Sequence, residues 1–512
     1  MFWWILGALG AVIVLVVIYD VLQRTHTILH NFPIVGHFRY WLEAIGPELR
    51  QYIVTSNDEE RPFSRDRRRW VYSSSKHENN YFGFGTDNDI ERATNYLIIE
   101  HAVFPVAAPS AGEPGYDPDH GVPCAKVLGG HRGRPLAFRP SSIVNISAMS
   151  FGSLSATAIE ALNRGAHLAN ALHNTGEGGV SPYHKRGGDL IWQLGTGYFG
   201  CRDERGRFHL DRLIETCSEN PVRAIEIKLS QGAKPGKGGL LPAAKITSEI
   251  SAIRGIPMGQ DCKSPAHHTA FHDVDSMLDF VETLAEATGL PVGIKSAVGE
   301  MTFWRELAER MGREDRGVDF ITIDGGEGGT GAAPLTFSDH VALPFRVGFT
   351  RVYKELHRAG VADRVVLIGS GKLGFPEETL LTMALGCDMI NVAREAMLAI
   401  GCIQAQRCHT GHCPAGIATQ SPWLMRGLDP TLKAARLANY LIALRKEVME
   451  LAQACGVEHP ALVGLDHFEL VSNGFETKSA AEAFGYEPGW GAIAPAIADE
   501  LRAFLGQQRE AA

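Results

Sequence analysis

Positive charge is in short supply in this chain: 49 Lys and Arg stand against 58 Asp and Glu, a net charge of -9 with His neutral. A surface that tracks a phosphate backbone needs the opposite balance, so composition argues against nucleic acid as a partner. The nine cysteines keep no regular spacing over 512 residues, which argues against a secreted disulfide framework. Six of them, Cys124, Cys201, Cys217, Cys262, Cys387 and Cys455, stand singly and read as buried thiols in a reducing compartment. No basic residue precedes the first apolar run, and it lacks a small-residue cleavage site, so a cleaved secretory signal fits poorly. The glycine runs also lack the G-x-G-x-x-G spacing in a strand-to-helix setting, with an acidic residue beyond, that a dinucleotide-binding module requires.

What is present begins at the N-terminus. Phe2 to Tyr19, FWWILGALGAVIVLVVIY, is apolar without interruption, close to the ~20 residues that cross a hydrocarbon core. An uncleaved transmembrane anchor is the reading, with a hydrophobic helix docked on a soluble domain as its rival. Arg24, Arg39, Arg50 and the SRDRRRW cluster (Arg65, Arg67, Arg68, Arg69) all follow it, which predicts a cytoplasmic catalytic domain.

Residues 25 to 140 mix aromatic, charged and Gly/Pro-rich stretches without sustained period, predicting an irregular module of short strands and loops. From about 142 the texture changes. Short apolar runs at 143–149, 170–176, 191–197, 224–230, 290–296, 319–325, 365–371 and 388–394 alternate with helical patterns such as SATAIEALNRGAHLA and DVDSMLDFVETLAEATG. Eight buried strands, each followed by a helix, predict an α/β fold of the (β/α)8 TIM-barrel type, with an open doubly wound sheet as the alternative. The predicted division is an anchor over 1–24, the irregular module over 25–140, a barrel over 141–425 and a helical C-terminal extension over 426–512.

Barrel chemistry sits at the C-terminal ends of strands. There the chain reads NTGEGG (174–179), SQGAKPGKGG (230–239) and DGGEGGTGAAP (324–334), glycine runs that let backbone approach a flat cofactor or a phosphate. After the eighth run comes GCIQAQRCHTGHCPAGIATQ (401–420), with Cys402, Cys408 and Cys413 in C-x5-C-x4-C spacing. Spacing alone leaves three readings open: an iron-sulfur cluster, a zinc site completed by His409 or His412, or free thiols.

Taken together and in order, AMSFGSLS, NTGEGG, EIKLSQGAKPGKGG, SPAHH, DGGEGGTGAAP and the cysteine motif resemble the FMN-binding synthase domain of glutamate synthase, over roughly residues 80 to 425. The resemblance implies a stand-alone, membrane-anchored relative that reductively aminates 2-oxoglutarate or a related 2-oxo acid to glutamate, through an imine reduced by FMN. It implies a 3Fe-4S cluster on Cys402, Cys408 and Cys413. Ser150, Gln193 and Lys295 match positions facing the isoalloxazine ring, and Gly328, Gly329, Gly331, Gly371 and Arg394 match the sixth rim and the phosphate site. Gln231, Lys234 and Arg254 match substrate contacts, Glu177 an acid that orients or exchanges a proton with the incoming nitrogen, and His267 and His268 read as structural, with pocket lining as the alternative.

Three positions depart from the family pattern: Leu240 stands for a glutamine, Ser370 and Gly371 for an aspartate-glycine pair, and Gly326 for a histidine. No cysteine precedes Cys124, so a glutaminase nucleophile is not expected, nor is the C-terminal β-helix domain of the full enzymes. Nitrogen is then expected from ammonia, an amine or a separate amidotransferase chain, and electrons from a ferredoxin or reductase. The rival expectation is a membrane-tethered flavin and iron-sulfur module for electron transfer or binding, without amination activity.

Overall fold

The eight short apolar runs form eight parallel strands in the computed structural model, which describes residues 1–91, 93–472 and 476–511. They are β1 (Val144–Ile146), β2 (His173–Asn174), β3 (Leu190–Leu194), β4 (Val222–Lys228), β5 (Val292–Ser296), β6 (Phe320–Asp324), β7 (Val366–Ser370) and β8 (Met389–Val392). Each pairs with its neighbours in sequence, and β8 returns to β1 through Ile390↔Val144 and Val392↔Ile146, closing the barrel. The eightfold barrel expected from the sequence is therefore the fold, and the open sheet is not.

Two compact units divide the chain, Met1–Arg68 and Arg69–Ala512. In the first, α1 (Phe2–Leu22) is, among the described residues, the one helix long and apolar enough to cross a membrane, and it is almost wholly exposed. α2 (Val35–Leu49), and a helix over Arg65–Ser75 whose greater part belongs to the second unit, occupy ground expected to hold short strands and loops. In α2 the apolar residues recur at helical spacing, a period obscured by the aromatic and charged residues between them.

In the second unit α3 (Ala156–Leu168), α4 (Leu210–Glu219), α5 (Ser248–Arg254), α6 (Val274–Thr288), α7 (Thr302–Arg313), α8 (Phe345–Arg358), α9 (Pro376–Ala384) and α10 (Arg394–Ala399) surround the barrel. Their limits follow local chemistry: the Ser155 hydroxyl caps α3, Asp273 and Ser276 form a capping box on α6, and Pro376 opens α9. Only a single 3-10 turn, Pro182–His184, follows β2 instead of the expected helix, because NTGEGGVSPYHKRGG carries too many glycines and a proline to propagate one. Beyond residue 426 the chain forms α11 (Pro430–Ala454), packed on α3 and α9, and two strands, Phe468–Val471 and Thr477–Ser479, that make a small sheet with Leu97–Ile99. Arg445 of α11 is buried and donates to the carbonyls of Ala169 and Asp119 at 2.6 and 2.8 Å.

The barrel interior is graded. At the N-terminal ends of the strands Ile191, Ala224, Phe320, Val366, Ile368 and Met389 form a fully buried apolar layer. Cys124 and Leu128, from the segment before β1, complete it as a stopper. Two residues higher on β3, β4 and β6, the inward positions become Gln193, Glu226 and Thr322, and above them stand Lys228 and Asp324 at the mouth. Phe320 fits because its strand neighbour Gly293 has no side chain; a Cβ there would stand 2.4 Å from the ring. Phe320→Ala is expected to destabilise the protein by about 3–5 kcal/mol through cavity formation. Leu168→Ala, at an exposed position, should change stability by less than ~0.5 kcal/mol. Urea-unfolding midpoints of the two variants check this.

Candidate active site

The polar upper layer of the barrel is organised by one carboxylate. Glu226, with no solvent exposure, accepts from Asn174 Nδ2 at 2.8 Å, Gln193 Nε2 at 2.5 Å and Thr322 Oγ1 at 2.7 Å. Because a carboxylate only accepts, both amides must turn their NH2 groups toward it. The Asn174 Oδ1 is then free to take the amide of Gly176 at 3.0 Å, which shapes the second rim. Gln193 is thereby held as a buried side chain with a fixed amide orientation.

Lys228, two residues beyond Glu226 on the same face of β4, gathers the mouth. Its Nζ lies 3.0 Å from Glu177 Oε1 and donates to Gln231 Oε1 at 2.9 Å. Glu177 also lies in the field of Lys234 and Arg254; burial pushes its carboxyl up, but Lys228 first and then the other two outweigh burial and hold it below the usual carboxylate range. The carboxylate nests against Gly195 and Gly239, where an added Cβ would approach its oxygens to 2.5 and 2.7 Å. These two rims need glycine for that contact. Lys234, 4 % exposed, has its pKa lowered by burial and by Lys228. Arg254 is buried beneath the second rim, donating to the Phe151 carbonyl at 3.0 Å and reaching Ser150 Oγ at 3.4 Å, with its guanidinium over the Phe199 ring. Its buried Nε has no hydrogen-bond partner among the described residues.

His268 supports this group from behind. Burial lowers its pKa to about 4, so it is neutral at pH 7. The Lys228 carbonyl 2.9 Å from Nε2 can only accept, which fixes the proton on Nε2 and leaves Nδ1 to accept from the Tyr198 hydroxyl at 2.9 Å.

A second cluster lies across the same mouth. Lys295 on β5 stands 3.7 Å from Asp324, whose carboxylate also accepts from the Gly232 amide at 2.8 Å and so ties rim four to rim six. Arg394 donates to the Glu327 carbonyl at 2.5 Å and lies against Gly329, while Gly371, at φ 146, packs on Gly325. Burial raises the pKa of the Glu327 carboxyl, with Lys372 and Arg394 as its nearby cations. Cations, backbone amides and glycines thus converge where a barrel phosphate site lies.

The cysteine loop leaves β8 through α10 and winds through left-handed residues at Gly401, Gln404, Gln406, Gly411 and Gly416. Gly331 of the sixth rim lies against Cys408, and Lys245 donates to the Cys408 carbonyl at 3.0 Å. Burial and Cys413 together raise the Cys408 thiol, so these two sulfurs share one environment. Cys402 Sγ accepts from the Gln404 amide at 3.4 Å. Among the described residues no group of three His, Cys, Asp or Glu is gathered closely enough to hold a metal ion. The donor set suits a sulfur-ligated cluster in kind; the three thiols do not form a closed ligand set.

The structure therefore brings Glu177, Gln231, Lys234, Arg254 and Ser150 into one group, and Gly328, Gly329, Gly371 and Arg394 into another, with Gln193 and Lys295 on the strands below. Sequence reasoning missed Lys228, Glu226 and Asp324. Each carries a signal, a charge at an inward position of an otherwise apolar strand, that period 2 exposes once the strand is placed.

The conserved region in glutamate synthase matches residues 136–458 of this chain. The glutamate synthase large subunit-like protein YerD of Bacillus subtilis is 37 % identical over 500 residues, covering 90 % of this chain and 94 % of its own. An archaeal glutamate synthase (NADPH) of Methanocaldococcus jannaschii is 37 % identical over 320 residues, 61 % of this chain and 59 % of that one. Among solved structures, a mandelate oxidase variant with a monooxide FMN adduct is 17 % identical and covers 76 % of this chain and 91 % of its own, at a TM-score of 0.40.

Removing the negative partner leaves Lys228, Lys234 and Arg254 facing one another. Glu177→Gln is expected to lower stability by about 3 kcal/mol at pH 7, as breaking a largely buried ion pair does. The folded carboxyl titrates below its unfolded value, so the wild-type advantage is complete above the ordinary carboxyl range and vanishes as pH falls through the depressed folded value. Unfolding midpoints across that range read the effect; a gap unchanged in acid contradicts the ion pair.

Proposed function

This chain belongs to the glutamate synthase family and is an oxidoreductase of that type, and from that premise we propose that it reductively aminates 2-oxoglutarate, or a closely related 2-oxo acid, to glutamate. Nitrogen enters as ammonia, an amine or the product of a separate amidotransferase chain, and electrons come from a ferredoxin or a reductase. One observation carries the reading. Three cations, Lys228, Lys234 and Arg254, face the carboxylate of Glu177 on one side of the barrel mouth, and that group carries two positive charges beyond Glu177 for a ligand to balance. A dicarboxylic 2-oxo acid brings two negative ones.

In the condensation the nitrogen attacks the ketone carbon, water leaves and a C=N bond replaces C=O. Glu177, ionised well into mild acid, holds and orients the nitrogen, which attacks as a neutral amine or ammonia and itself supplies the hydrogens that leave with the water. Lys234, its pKa lowered by burial, donates toward the departing oxygen. Lys228 and Gln231 fix the near carboxylate. Arg254 offers a buried Nε that has no hydrogen-bond partner among the described residues, on a guanidinium suited to the distal one. His268, neutral and pinned by Tyr198, keeps the Lys228 backbone in register.

The residues present fit FMN: glycines at Gly328, Gly329 and Gly371 leave backbone open beside the Arg394 cation, and Lys295 and Gln193 line the strands beneath, Ser150 the first rim. Bound there, FMN supplies the hydride that reduces the C=N carbon. Lys295 places positive charge at the end of β5, where it would favour an anionic ring, and Asp324 holds the ammonium in place. Cys402, Cys408 and Cys413 would carry a 3Fe-4S cluster, a one-electron carrier, supported by the donor chemistry of the loop. α1 would anchor the chain in the membrane, and the arginines after it favour a cytoplasmic catalytic unit.

Full-length protein purified in detergent without oxygen is expected to retain FMN and iron, and to form glutamate from 2-oxoglutarate and ammonia when supplied with a chemically reduced donor. Flavin retained without any amination of a 2-oxo acid overturns the assignment. Lys234→Met should retain flavin while lowering glutamate formation roughly 10²-fold or more, the scale of lost acid catalysis.

A further inference from the structure

The unit formed by the first 68 residues carries an apolar stripe that no core receives. Along α2, Val35, Phe38, Trp41, Leu42, Ile45 and Leu49 fall on one face at 3.6-residue spacing, while Tyr40 and Glu43 fall on the other and Arg39 and Glu48 flank the stripe. In a water-soluble domain such a stripe faces inward. Here Val35 is 74 % exposed, Phe38 59 % and Trp41 56 %, and the stripe runs on through Tyr52 and Ile53 in the following π-helical turn.

The start of α2 is fastened to the end of α1. The Asp20 carboxylate, buried in the last turn of α1, accepts from the Ile34 amide at 2.9 Å and meets His37 Nε2 at 2.9 Å. At a rise of ~1.5 Å per residue the 21 residues of α1 extend about 30 Å, the thickness of a hydrocarbon core. A spanning α1 therefore ends at the headgroup boundary, and the Asp20–His37 contact sets the first turn of α2 at that same depth.

We propose that α2 is an interfacial helix, lying in the headgroup layer of the bilayer that α1 crosses, with Phe38, Trp41 and their stripe seated among the upper acyl chains. The proposal rests on the anchor reading of α1. Amphipathic helices with bulky aromatic side chains partition to this layer. Arg39 and Arg50 are matched by Glu43 and Glu48, so apolar burial drives the contact and neutral lipid suffices.

The test uses the full chain in phosphatidylcholine vesicles, with a photoreactive benzoylphenylalanine in place of Phe38 or Trp41, or in place of Tyr40 or Glu43 on the opposite face. After irradiation, lipid adducts at the first two positions are expected to exceed those at the second two roughly tenfold, as a helix half-sunk in the interface requires. Adducts indifferent to face, or chain-to-chain adducts at Phe38 marking a second copy on the stripe, overturn the proposal. Alkaline carbonate washing separates the premise: a chain that washes off refutes the anchor, whereas a retained chain with face-independent adducts refutes the interfacial helix alone.

Discussion

Glu226 is the constraint on which the mouth of this barrel depends. Desolvating a carboxylate costs several kcal/mol unless its acceptor sites are filled, and here three donors from β2, β3 and β6 fill them. The four strands so joined cannot slide or twist independently without leaving a buried charge unsatisfied. The orientations of Asn174 and Gln193 follow from that, and the second rim follows from Asn174.

Above this layer the site is a matter of packing many charges into little space. Rims two, three and four approach closely only because Gly178, Gly195 and Gly239 lack side chains where Arg254 and Glu177 lie. The same closeness sets the electrostatics: Glu177 stays ionised despite burial because three cations surround it, and Lys234 gives up its proton more readily because it is buried and then because Lys228 is beside it.

Much of the fold was legible because parallel strands buried on both faces read as continuous apolar runs, and all eight appeared where those runs stood. The glycine runs marked the rims, and Glu177, Gln231, Lys234 and Arg254, picked out in the motifs, lie near one another at the mouth. Glu226 and Lys228 escaped notice because AIEIKLS reads as one strand, and only pairing reveals which of its residues face inward. α2 escaped because aromatic and charged residues interleave through its helical stripe. The cysteine motif shows the opposite limit: its spacing is conspicuous, yet the loop brings Cys408 and Cys413 into one environment without closing a three-thiol set.

Cys124 and Leu128, wedged with Phe320 and Met389 into the lower barrel, leave the molecule with a floor. A close-packed floor admits no small solute from below, so the polar groups stacked above it are reached from the opposite end of the barrel.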